Sequence, residues 1–149
     1  MRSAPSSRTQ IPAIILLVDD NRDGLIARRS VLEELGYQVV PAASGSDALK
    51  TVEEQNFDLI ITDYKMAPMD GLELIGKLRE RNFKKPIILL SGFADTLGLR
   101  PESTGADVVL QKNANEISNL LRHAKRLLNP GRKPPGSLLR GKRQNRNVS

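Results

Sequence analysis

The chain has no cysteine and no tryptophan, only three Phe and two Tyr, and a single histidine among 149 residues. Without cysteine there is no disulfide, no thiolate nucleophile and no zinc site built on sulfur, which suits a reducing compartment. Few aromatics beside 39% hydrophobic content imply an aliphatic core. No apolar run approaches the ~18 residues that span a bilayer. The opening "MRSAPSSRTQ" before "IPAIILLV" has the outline of a short signal peptide. The run ends in carboxylates rather than a small-residue cleavage site, so it reads as a strand. A soluble, cytoplasmic chain is the expectation. The last twenty residues lack acid: residues 130–149 carry Arg132, Lys133, Arg140, Lys142, Arg143 and Arg146 with no Asp or Glu. The net charge of +6 therefore belongs to a tail, and the body is neutral.

What is present is a repeating pattern. The length suggests one domain with a real core. Four short apolar runs recur: "IILLV" (14–18), "DLIIT" (58–62), "PIILL" (86–90) and "ADVVL" (106–110), with a weaker "YQVVPA" (37–42). They are near-continuous rather than alternating, as in strands covered on both faces. Helical stripes lie between them. Ala27, Val31, Leu32 and Leu35 share a face, with Gly36 as a C-terminal cap. Ser44 caps a second stripe of Ala48, Leu49 and Val52. Gly71, Leu74, Ile75 and Leu78 make a third, and Ile117, Leu120, Leu121, Ala124 and Leu128 the best formed. The segment 95–105 is poor, because Gly98 and Pro101 oppose a helix interior by ~1 and ~3 kcal/mol. It is expected to be short, irregular or broken. Five alternations predict an α/β fold: a five-stranded parallel sheet, order 2-1-3-4-5, with helices on both faces. Ligands then bind beyond the carboxyl ends of strands 1 and 3.

Polar residues gather at those strand ends. The first strand runs into Asp19 and Asp20, the third ends in Asp63, the fourth in Ser91, and the fifth leads into Lys112. Carboxylates ~4–5 Å apart repel by ~3–4 kcal/mol per pair at an effective dielectric of ~20. Such a site must hold a cation or a proton. Oxygen ligands without His or Cys favour Mg²⁺, with Mn²⁺ as the second candidate. Three carboxylates, one divalent cation and Lys112 sum to zero, so the metal and the lysine can neutralise an incoming phosphoryl group. Asp20 and Asn21 also suit a plain helix cap. His123 reads as a surface residue, and Met66 and Met69 as loop packing.

"LLVDDN", "DLIITDYKMAPMDG", "LLSGFA" and "GADVVLQK" together resemble the receiver domain of two-component response regulators over residues 12 to 128. The resemblance implies a flavodoxin-like fold and a role for each residue. Asp63 is then the nucleophile that takes a phosphoryl group from a phosphohistidine. Asp20 binds Mg²⁺ directly, Asp19 mostly through water, and the Lys65 backbone carbonyl completes the protein ligands. Ser91 and Lys112 contact the phosphoryl oxygens. Asp70 and Gly71 match the turn opening the third helix, and Gly105 and Ala106 the approach to strand 5. The implied partners are a sensor histidine kinase or phosphotransfer protein and a downstream protein target, with a monomer or weak dimer as the assembly.

The chain departs from the family in several places. Asn113 follows Lys112 where proline is usual, so Lys112 is aimed by another loop conformation. Val109 stands where an aromatic switch residue is usual. Pro68 is displaced by one position in the loop after Asp63. Lys65 and Phe93 occupy positions that tune acyl-phosphate lifetime, and a bulky Phe93 predicts slow hydrolysis.

The expected organisation is a flexible leader over 1–11, a receiver domain over 12–129 and a basic, disordered tail over 130–149. About twenty residues after Pro130 are too few for an output domain, which implies a single-domain regulator that turns over no external substrate. The tail lacks stacking aromatics, which disfavours nucleic acid as a partner. The rival reading is a receiver-fold interaction module that acts without phosphorylation. A Mg²⁺-dependent phosphatase is disfavoured because "DDNRD" lacks an Asp-x-Asp pair, and a dinucleotide enzyme because no G-x-G-x-x-G follows the first strand.

Overall fold

In the computed structural model, residues 12–92 and 97–129 are described. The proposed leader, the basic tail and Phe93 lie outside them. Five strands, β1 (Ile14–Val18), β2 (Gln38–Ala42), β3 (Leu59–Asp63), β4 (Ile87–Ser91) and β5 (Val108–Gln111), form one parallel sheet in the order β2-β1-β3-β4-β5. The described helices are α1 (Arg22–Glu34), α2 (Gly45–Glu54), α3 (Gly71–Glu80), α4 (Pro101–Thr104) and α5 (Glu116–Leu128). The order 2-1-3-4-5 expected from the alternating strand and helix patterns is therefore present, and it is the flavodoxin-like arrangement that the resemblance implies.

Strand alternation splits the core into two layers. Leu16, Val18, Ile60, Ile87 and Leu89 pack with Ala48 and Leu49 of α2 and Leu74, Ile75 and Leu78 of α3. Ile15, Leu17, Leu59, Ile61, Ile88 and Leu90 pack with Leu32 of α1 and Leu120 and Ala124 of α5. β3 and β4 are buried along their whole length, which is why their sequences are unbroken apolar runs. β2 lies at an edge of the sheet and accommodates Pro41 there.

Helix ends follow their caps. Asn21 Oδ1 accepts from Gly24 N at 2.9 Å, so Asn21, not Asp20, caps α1. Gly36 takes φ +95° just past α1, and its N–H donates to Glu33 O at 2.9 Å. Ser44 and Asp70 cap α2 and α3 by accepting from Asp47 N and Glu73 N. In the poor fourth segment, the described residues include the four-residue α4. Pro101 opens it, where its missing N–H has no intrahelical partner to lose, and Gly105 ends it at φ +84°.

The face of α1 needs a correction. Ala27 and Leu35 are exposed, and the buried residues are Arg28 and Leu32. The stripe runs through Leu25, Arg28 and Leu32, because Arg28 is paired with acids beneath the helix. Ile117, assigned to the apolar face of α5, is also exposed.

Candidate functional site

Parallel pairing brings the carboxyl ends of the central strands to one edge. Asp63 is the last residue of β3 and lies beside Leu90 of β4. Ser91 ends β4 beside Gln111 of β5, and the Lys112 N–H donates to Ser91 O at 2.9 Å. Asp19 follows β1, its N–H donating to Ala42 O at 3.1 Å. Carboxylate oxygens of Asp19, Asp20 and Asp63 all lie within 4.8 Å of one another. Asp19 and Asp63 are buried and Asp20 is exposed, so the cluster opens to solvent on one side.

Lys112 Nζ forms an ion pair with Asp63 Oδ1, the lysine 30% exposed and the aspartate 6%. The lysine thus reaches inward from a partly open position. Burial raises the Asp63 pKa above the usual carboxylate range, and Lys112 only partly opposes this. Asp19 pushes in the same direction as burial, and Arg28 against it. An acid held in that condition gains by pairing with a further positive charge.

Gly71 gives the loop after Asp63 its shape. Its N–H donates to Tyr64 O at 2.8 Å, and a Cβ at this position would lie 2.4 Å from Asp63 O. Helix α3 can start this close to the end of β3 only with glycine there. Lys65 follows in the same loop with its side chain exposed. Val109 is half-buried and packs against the layer containing α2 and α3. His123 lies apart from the site, between Arg122 and Arg126, and burial and those arginines lower its pKa.

Asp19, Asp20, Asp63 and Lys112 are brought together as their positions after the strands imply, and Ser91 sits one ladder step away. Arg28 was missed. Its Nη1 donates to Asp19 Oδ2 at 2.7 Å and its Nε to Glu116 Oε2 at 2.6 Å. The available signal was an arginine inside the i, i+3, i+7 stripe of Leu25 and Leu32, where a solvated residue does not belong. The donor set of the cluster is all oxygen, with no imidazole or thiolate, and fits a hard divalent cation.

Comparison with known proteins agrees with this geometry. The response regulator receiver domain family matches residues 15–125. The alkaline phosphatase synthesis transcriptional regulatory protein PhoP of Bacillus subtilis is 35% identical over 102 residues, covering 66% of this chain and 41% of PhoP. The sensor protein EvgS of Escherichia coli K12 is 45% identical over 73 residues, covering 49% of this chain and 6% of EvgS. The chain thus spans well under two thirds of these relatives. Response regulator TrrA of Thermotoga maritima, solved in complex with Mg²⁺-BeF, superposes with a TM-score of 0.70 at 32% identity, covering 78% of this chain and 99% of TrrA. Chemotaxis protein CheY4 of Vibrio cholerae gives 0.71 at 30% identity, covering 79% and 100%. With the family matched from β1 to the last turns of α5, the chain belongs to the response regulator receiver domains of two-component systems.

Proposed function

We propose that Asp63 accepts a phosphoryl group from a phosphohistidine on a histidine kinase or phosphotransfer protein, and that the modified chain signals through a protein partner. The supporting observation is the buried Asp63 carboxylate, paired with Lys112 and clustered with Asp19 and Asp20 at the sheet edge. One carboxylate oxygen of Asp63 attacks phosphorus as the P–N bond breaks. The imidazole leaves with the electron pair and, already protonated at its other nitrogen, departs as neutral histidine. Lys112 follows the charge that moves onto the phosphoryl oxygens, and the Ser91 hydroxyl donates to one of them. Asp19, Asp20, Asp63 and the Lys65 carbonyl are the groups that would hold Mg²⁺. When bound, that ion supplies charge neutralisation to the phosphoryl oxygens. The chain is an acceptor and slow autophosphatase rather than an enzyme with an external substrate. Among the described residues no helix is long and apolar enough to cross a membrane.

Acetyl phosphate with Mg²⁺ provides the test. Intact-mass measurement should show one acid-labile phosphoryl gain in the native chain and none in Asp63→Ala. A folded native chain that gains nothing, and that also ignores beryllium fluoride with Mg²⁺, would support an interaction module that acts without phosphorylation.

A further inference from the structure

The acidic pocket already contains a cation of its own. The Arg28 guanidinium sits between Asp19 at 2.7 Å and Glu116 at 2.6 Å, with its side chain 9% exposed and those of its partners 2% and 13%. Asp19 is thus engaged on both oxygens, since Oδ1 accepts from Asn21 N at 2.9 Å. Gly24 makes room for the pair: a Cβ there would lie 2.6 Å from Asp19 Oδ2 and 2.8 Å from Arg28 Nη1. Glu116 opens α5, while Arg28 belongs to α1, so one guanidinium ties the pocket to the first turn of a second helix.

Charge counting gives Glu116 a purpose. Asp19, Asp20, Asp63, Lys112 and one divalent cation are balanced without Arg28. Arg28 adds a positive charge against the incoming metal, and Glu116 cancels it from the far side. We propose that Arg28 and Glu116 form a positioning pair for the pocket, through which divalent-cation binding at Asp19 is coupled to the start of α5. This rests on the metal-assisted reading above. A cation that draws on Asp19 loosens the Asp19–Arg28 contact, and the guanidinium then leans on Glu116. Metal binding therefore alters the restraint on the first turn of α5. Conversely, whatever moves Glu116 changes the hold of Arg28 on Asp19, because coupling between two sites is reciprocal.

Three variants and two readouts test this. Mn²⁺ binding is measured by the loss of the free-ion electron paramagnetic resonance signal, for the native chain, Glu116→Gln, Arg28→Met and the double variant. Glu116→Gln, which leaves the guanidinium uncompensated, should weaken Mn²⁺ about tenfold at low ionic strength, and salt should shrink the effect. Arg28→Met should tighten binding several-fold. The double variant, with both charges gone, should return close to native affinity. Amide exchange over residues 116–120 supplies the second readout. Mn²⁺ should change it in the native chain and leave it unchanged in Arg28→Met, a difference that a merely structural arginine would not produce.

Equal affinities across all four proteins, or both single variants shifting in one direction, would overturn the pair. So would native α5 exchange that ignores the metal. If Arg28→Met fails to fold, as judged by circular dichroism, Glu116→Gln and the native exchange experiment decide alone. Failure of the native chain to bind Mn²⁺ at all would overturn this inference together with the metal-assisted reading. Normal Mn²⁺ behaviour with no phosphoryl gain would sink only the acceptor role of Asp63.

Discussion

Aspartates stand at both edges of the sheet, and they are treated differently. At the amino edge, Asp58 precedes β3 and accepts from Ile14 N, the first residue of β1, at 2.8 Å. Asp107 precedes β5 and accepts from Ile87 N, the first residue of β4, also at 2.8 Å, with Arg79 Nη2 at 3.0 Å. The same arrangement thus appears twice: a carboxylate satisfies the leading N–H of the neighbouring strand. At the carboxyl edge, Asp19, Asp20 and Asp63 face one another instead. The amino edge uses its carboxylates to finish hydrogen bonding, whereas the carboxyl edge concentrates charge that a cation or a proton relieves. An acid beside a strand therefore says little until its partners are known.

The largest expected effect breaks that comparison outright. Asp63→Ala should abolish phosphoryl gain from acetyl phosphate, whereas Asp58→Asn and Asp107→Asn should leave its rate nearly native. A comparable loss in either amino-edge variant would mean that the two edges are not separable. Next comes Gly71→Ala, whose new methyl group meets the Asp63 carbonyl. Forcing it in should destabilise by about 1–3 kcal/mol in urea unfolding and slow phosphorylation as well, because the loop next to Asp63 must move. Asp107→Ala, which strips a partner from Ile87 N, should destabilise by about 1–3 kcal/mol with no effect on phosphorylation.

The smallest effect concerns Asp63 alone. Burial raises its folded pKa, so the stabilisation from its neutral form is present below the unfolded value and lost as pH rises through the folded one. Ionised Asp63 therefore weakens the fold at neutral pH. Asp63→Asn should raise Tm by about a few degrees at pH 7 without metal. The gain should shrink as pH falls toward 4, and saturating Mg²⁺ should erase it by stabilising the native chain. A variant that melts lower than the native chain at pH 7 would mean that the Lys112 pair outweighs burial.

The sheet was legible because strands covered on both faces leave unbroken branched apolar runs, and β1 matches its run residue for residue. The site was legible because the chemistry-bearing residues directly end or follow those runs. The fourth segment was legible through its glycine and proline, although the placement of Pro101 at a helix start depends on the chain around it. What hydropathy misread was the face of α1. It counted Ala27 and Leu35 inside and passed over Arg28, because a charge is normally solvated. The partners that reverse this preference stand 9 and 88 residues away. A helical period carries no record of contacts at such separations.

Gly24 now reads as one half of a couplet. Alanine there would favour the helix on propensity alone, by up to about 1 kcal/mol. Yet its methyl group would have to displace the Asp19 carboxylate and the Arg28 guanidinium, both flexible side-chain ends rather than backbone. The residue at position 24 is therefore tied to the Asp19–Arg28 contact beneath it. Losing the arginine alone does not open the position, because Asp19 Oδ2 still stands 2.6 Å from where the new methyl group would lie.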